Sequence, residues 1–188
     1  MKLTEVKMKN VLIIVILSMT MFVSCSSMKD VYLENDRYII SLEDVGWELS
    51  FPKNDFVVRD YTLYNDNGYA MFADASNNLV IAITIDKLEK YKDAIACRED
   101  FVNNPLASPF LFLTKRFLRY EIGEASCLEY YVAKYEGKEI NVNTITAVYA
   151  KGMSAIKIHV SKTDFQKENR EKMLEIVSSM LFNEKVKL

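Results

Sequence analysis

The sequence predicts an α+β domain, an antiparallel sheet covered by helices, behind a short apolar N-terminal segment. Three observations predict it. Apolar residues recur at period two in several separate runs, the mark of half-buried strands. The period becomes helical in two places, over 87–103 and near the C-terminus. Turn residues (Pro52, Asn77-Asn78, Gly137, Gly152) punctuate the runs at hairpin distances. Strands, helix, three strands, helix is an α+β order.

Residues 1–25 come first. Lys7 and Lys9 flank a 13-residue apolar run from Val11 to Val23, closed by Ser24-Cys25. A basic flank, an apolar core and a small residue before the cut make a signal peptide. The run is too short for an ordinary membrane span, which takes about 20 residues. The tetrad Phe22-Val23-Ser24-Cys25 resembles the lipobox of bacterial lipoproteins, with Phe22 where that family usually has Leu. The resemblance implies a lipoprotein signal peptide over 1–25, removed on export. The Cys25 thiol would carry diacylglycerol and become the new N-terminus, giving a lipid-anchored protein of the cell envelope, outside the cytoplasmic membrane. Ser26 rather than Asp after the cysteine implies, by the same resemblance, the outer membrane where the host has one. Met8-Lys9-Asn10 is already a complete signal start, and Glu5 is an acidic intruder before it, so translation is expected to begin at Met8.

The 163 residues that follow are the size of one domain. Lys2, Lys7, Lys9 and Glu5 lie in the first 25 residues, so of 24 basic and 26 acidic side chains the remainder keeps 21 and 25, a net charge of −4. Clustered cations are what nucleic acid requires, so this evenly mixed, weakly acidic surface argues against it. It argues equally against electrostatic docking to anionic lipid, which leaves the acyl chains on Cys25 as the membrane anchor.

Residues 26–36 read as a polar tether and 37–188 as a single domain. The first strands are 38–42, with Tyr38, Ile40 and Leu42 on one face, and 46–51, with Trp47, Leu49 and Phe51. Pro52 stops the second. Residues 55–64 are ambiguous, and 65–68 (Asn-Asp-Asn-Gly) are a turn. Residues 69–74 and 79–85 make another hairpin, and the second run is apolar enough on both faces to be a central strand. A helix is expected over 87–103, ended by Pro105, and a second short helix within 105–119. Residues 126–135, 138–150 and 153–161 form a meander broken at Gly137 and Gly152. Ser161 or Asp164 then caps a last helix whose Met173, Ile176, Val177, Met180 and Leu181 form one apolar stripe facing the sheet.

Trp47-Glu-Leu-Ser-Phe-Pro52 in an early hairpin, the meander through Ile156-Lys-Ile-His-Val-Ser161 and the closing helix over 171–182 resemble the PsbP-like fold. That fold occurs in the extrinsic photosystem II subunit and in small bacterial lipoproteins. The resemblance covers nearly the whole domain and implies a PsbP-like α/β/α sandwich. It carries no catalytic motif, and the fold hosts unrelated functions.

Candidate chemistry is sparse. His159 is the only histidine and excludes a multi-histidine metal site. Its alternation with Ile156, Ile158 and Val160 makes it a solvent-side strand residue. Cys127 with His159 would be only two members of a cysteine-based catalytic set, and no nucleophile elbow or phosphate loop is present. Asn65, Asp66, Asn67 and Asp74 put oxygens in one region without the order or distal glutamate of a Ca²⁺ loop, so they read as a turn. With Cys25 assigned to lipid, Cys97 and Cys127 either form a disulfide, enclosing about 30 residues and contributing roughly 3–4 kcal/mol, or stay as separate buried thiols. Tyr61, Tyr64, Tyr69, Tyr130, Tyr131, Tyr135 and Tyr149 either pack in the sheet or form a binding surface. The expectation is an accessory or protein-binding module without enzyme activity, cofactor or metal, its protein partner not specified by the sequence. The alternative is a small-ligand or transport-accessory lipoprotein with a cleft between sheet and helix.

Overall fold

Two antiparallel sheets share one core. The structure, a computed structural model, describes residues 31–42, 46–64, 67–89, 92–104, 111–114 and 116–184. The smaller sheet holds β1 (Val31–Glu34), β2 (Arg37–Leu42), β3 (Trp47–Pro52) and β11 (Leu181–Glu184), in the order β1-β2-β3-β11. The larger holds β4 (Val57–Tyr64), β5 (Asn67–Asp74), β6 (Leu79–Lys87), β7 (Leu118–Ile122), β8 (Ala125–Tyr135), β9 (Lys138–Lys151) and β10 (Ser154–Lys162). Its order is β4-β5-β6-β10-β9-β8-β7. The described helices are α1 (Ala94–Asn103) and α2 (Asn169–Ser178), with a 3-10 turn at Leu111–Leu113.

Side-chain parity builds the layers. Tyr38, Ile40, Leu49 and Phe51 point from the smaller sheet onto Phe72, Ile81, Ile83, Ile145, Ile156 and Ile158 of the larger, and Met173, Ile176 and Val177 of α2 join the same cluster. At its centre the Phe51 and Phe72 rings meet edge to face at 4.8 Å, worth about 0.5–1.5 kcal/mol beyond the area they bury. The opposite face of the larger sheet receives α1, with Phe101 and Leu111 over Leu128, Tyr130 and Val132, and Cys97 over Val148 and Ala155.

The strand pattern read from the sequence is present, and β6 lies inside its sheet between β5 and β10, as its double-sided apolar character predicts. The turns follow local chemistry. Gly137, at φ +76° beside Glu136 at φ +48°, makes a two-residue connection with both central residues left-handed, the geometry that matches strand twist.

Several expectations are corrected. Residues 31–36, read as part of a tether, are ordered: Val31–Glu34 is a strand paired with β2, and Asn35 and Asp36, both at positive φ, are its hairpin turn. One flank of the larger sheet is covered by the smaller sheet together with α2, so the molecule is richer in sheet than an α/β/α sandwich. The first helix begins at Ala94 rather than 87 because β6 runs through Lys87 and Asp93 Oδ1 accepts the Ala96 N–H at 2.7 Å. The described residues of the segment read as a second helix form a 3-10 turn at Leu111–Leu113 and the start of β7. The last helix stops at Ser178, and Leu181 and Phe182 pair with Ser50 and Leu49 instead of extending the helical stripe. Neither Ser161, in β10, nor Asp164, at φ +52°, caps it.

Candidate functional site

Where β7, β8 and β9 extend beside α2, the core face carries a charge. Glu129 lies in β8 on the same face as Cys127, paired with Leu118 and Ile145, and is 5% exposed. A buried carboxylate must be paired and hydrogen-bonded. Arg170, in the first turn of α2, donates through Nε to both oxygens at 3.0 Å and through a terminal nitrogen at 2.8 Å. Asn143 Nδ2 and the Tyr120 hydroxyl donate at 3.0 Å each. Burial alone would raise the Glu129 pKa, but the hydrogen bonds from Arg170, Asn143 and Tyr120 outweigh it and hold the carboxyl below its ordinary value. Tyr120 is pushed the other way, by burial and by the Glu129 charge.

This cluster is both a clamp and a surface. It ties α2 to the penultimate strand of the larger sheet, 41 residues away in sequence. The Arg170 guanidinium lies 5.7 Å from the Tyr120 ring centroid, and its side chain remains 38% exposed. Leu118, 58% exposed, sits across the ladder from Glu129, and Tyr131, 44% exposed, is two residues along the same face and packs on Phe165. An oriented cation with apolar and aromatic neighbours can hold a carboxylate-bearing or aromatic segment of a partner.

The other predicted residues fall as follows. His159 is half-buried, not solvent-facing, because α1 covers its side of the sheet. Its ring lies 5.6 Å from Phe101, and Nδ1 shares a 2.9 Å hydrogen bond with the Thr146 hydroxyl. Burial, then the nearby Lys157, depresses its pKa to about 4. Thr144 and Ser161 pair their hydroxyls beside it at 3.0 Å. Cys127 belongs to the core shared with the smaller sheet, whereas Cys97 packs from α1 on the opposite face, so the larger sheet separates them. Both are buried free thiols, and the disulfide alternative is not realised. The same separation keeps Cys127 from His159. Burial also pushes the Cys127 thiol up to about 12, away from the reactive thiolate.

Cys25, Asn65 and Asp66 lie outside the described residues. The Asp74 carboxylate is occupied by Ser76 and Asn77, the turn arrangement expected. Among the described residues no group of three or more His, Cys, Asp or Glu side chains is placed to hold a metal ion. Tyr149 packs on Phe182 with centroids 4.6 Å apart, Tyr130 sits beneath α1, and Tyr69 is half-buried, its hydroxyl pushed up to about 12 by burial and then Asp60. Sheet packing thus accounts for Tyr149 and Tyr130, and Tyr131, 44% exposed, is at the surface. Sequence reasoning missed Glu129 and Arg170. An acidic residue at core parity between Cys127 and Tyr131 was the available signal.

Comparison with solved structures concerns the fold alone, at low sequence identity. The solution structure of cyanobacterial PsbP (CyanoP) from Synechocystis sp. PCC 6803 superposes with a TM-score of 0.55 at 13% identity, covering 86% of this chain and 99% of that one. The fold is PsbP-like. A crystal structure from Bacteroides thetaiotaomicron VPI-5482 gives a TM-score of 0.50 at 14% identity over 81% of this chain, which spans half the length of that protein. LpqN of Mycobacterium tuberculosis, described as involved in cell envelope biogenesis, gives 0.45 at 14% identity over 78% of this chain and 90% of its own. No protein-family model and no curated protein matches the sequence. No helix among the described residues is long and apolar enough to cross a membrane.

Proposed function

We propose that this PsbP-like chain is a lipid-anchored accessory module of the cell envelope that works by binding another protein rather than by catalysis. The observation that carries the reading is Arg170, fixed half-exposed by the buried Glu129 beside exposed Leu118 and Tyr131. Such a cation is oriented before a partner arrives, so little side-chain entropy is lost on binding. The lipobox-like end at Cys25 supports the anchor. The raised pKa of Cys127 keeps it a thiol rather than a thiolate at neutral pH, and the lowered pKa of His159 makes its neutral imidazole a weak base, which supports a non-enzymatic role.

Two measurements test this. Metabolic labelling with a fatty-acid analogue should mark the wild-type chain and not Cys25→Ser; label persisting in the variant defeats the lipid anchor. A photo-crosslinking amino acid at position 118 should trap a discrete adduct that weakens in Tyr131→Ala, while the same probe at exposed Ile95 on α1 traps none. Equal patterns at 118 and 95 defeat the binding surface.

A second reading rests on the α1 side of the larger sheet, where Thr84 Oγ1 and Ser126 Oγ are buried with no hydrogen-bond partner among the described residues. The two lie three strands apart in the row Thr84, Lys157, Val148, Ser126, and a small ligand reaching either hydroxyl between helix and sheet would supply its partner. Native mass spectrometry of the purified protein should then retain a bound small molecule.

A further inference from the structure

We infer that the outward face of the smaller sheet is the face that rests on the bilayer carrying the anchor, which rests on the lipid-anchor reading above. Residues 26–30 alone separate Cys25 from β1. Six peptide steps span roughly 20 Å when fully extended. A domain of this length is about 40 Å across. The anchor therefore cannot reach around the molecule, and β1 with its sheet stays near the headgroups.

The surface presented there suits that place. Inward parity sends Tyr38, Ile40, Leu49 and Phe51 into the core, so the alternate residues face out. One cross-strand row reads Tyr32, Ile39, Ser50, Leu181, in register across all strands of this sheet. Tyr32 is 39% and Leu181 50% exposed, and Ile39 is half-buried. The flanking rows are polar, with Glu34 and Arg37 on one side and Ser41, Glu48 and Asn183 on the other. Arg37 crosses this row, donating to the Ser50 hydroxyl and to the Ser179 carbonyl at 2.8 Å, and Ser50 is buried, so the row presents its exposed apolar side chains as Tyr32 on one side and Leu181 on the other.

An apolar row with an aromatic hydroxyl beside it matches the interfacial zone, where amphipathic rings and leucines sit at headgroup level. So small a face would not bind a membrane from solution. Tethered by its acyl chains it has no need to, because docking becomes an intramolecular event at high effective concentration. The α1 layer then lies about 20 Å farther out, two layer spacings away.

The test uses the full chain, expressed with residues 1–25, purified from membranes and reconstituted into phosphatidylethanolamine/phosphatidylglycerol vesicles. Cys97 and Cys127 are buried, so an environment-sensitive fluorophore can be placed selectively at Leu181→Cys or at Ile95→Cys. Flotation is read first: protein that stays out of the vesicles overturns the anchor and this inference with it. For protein that floats, brominated lipid should quench the label at 181 and spare the label at 95. Quenching at neither position, at both equally, or at 95 alone overturns the orientation while leaving the anchor standing. Should Leu181→Cys fail to fold, Asn183→Cys, exposed on the same strand and face, gives the same reading.

Discussion

Replacing Arg170 by Ala removes one side of the Glu129 clamp and leaves the other buried. The carboxylate keeps Asn143 and the Tyr120 hydroxyl as donors but loses its cation and three of its contacts. Breaking a fully buried pair from one side costs about 3–5 kcal/mol. Arg170 is 38% exposed, so water already screens it, and two neutral donors remain; a loss of about 2–3 kcal/mol at pH 7 is expected. For a domain of this size that lowers Tm by roughly 5–10 °C. The pH dependence is the sharper signature. In the wild type the folded Glu129 carboxyl sits below its unfolded value. Its contribution is therefore present above about pH 4.3 and is lost as pH falls through the folded value. In Arg170→Ala, burial, the largest influence on this carboxyl, acts with its main opponent gone, so its pKa rises and protonation relieves the variant. Urea unfolding followed by circular dichroism should show the deficit narrowing from pH 7.5 to pH 4.5. A deficit under about 0.5 kcal/mol, the level of a surface ion pair, or one that does not change with pH, would refute the clamp.

His159 should make the wild type lose stability on acidification. Its folded pKa of about 4 lies below the unfolded value near 6.5, so the unfolded chain takes the proton first, and about 1–3 kcal/mol should disappear as pH falls from 6.5 towards 4; His159→Gln should flatten that window in the same urea series. Thiol titration of envelope-purified protein should find Cys97 and Cys127 unreactive when folded and both reactive in denaturant, with no change in Tm on adding reductant; a linked peptide pair in a non-reduced digest would contradict the placement on opposite faces. Phe182→Ala should cost about 2–4 kcal/mol, because its ring packs on Tyr149 at 4.6 Å and under the Lys151 ammonium at 5.3 Å; thermal melting indistinguishable from wild type would remove β11 from the core.

The strands of the two central hairpins and the meander were legible because their signals are local. Tyr38 and Ile40, Leu49 and Phe51, and Ile156, Ile158 and Val160 alternate within a few residues, and Pro52, Gly137 and Gly152 end runs through their own backbone constraints. The period of β4 is ambiguous, and three further strands were not legible. The Asn35-Asp36 turn of β1 lacks the glycine that usually marks such a turn. The Leu118, Tyr120, Ile122 alternation of β7 hid in a segment rich enough in leucine and phenylalanine to read as helix. Met180 and Leu181 of the last segment continue a helical stripe, and it is the free edge of β3, some 130 residues earlier in the chain, that draws Leu181–Glu184 into a ladder. No window of sequence contains that edge. The functional residues divide likewise. Parity within β8 sets Glu129 on the face of Cys127, and parity within β10 sets His159 opposite Ile158 and Val160, which the sequence alone determines. Which face is covered, and by what, depends on where α1 and α2 pack. Only tertiary structure could turn the solvent-side histidine into a half-buried one, keep Cys97 from Cys127 with a sheet between them, and bring Arg170 onto Glu129, because burial and pairing are properties of elements that meet in space.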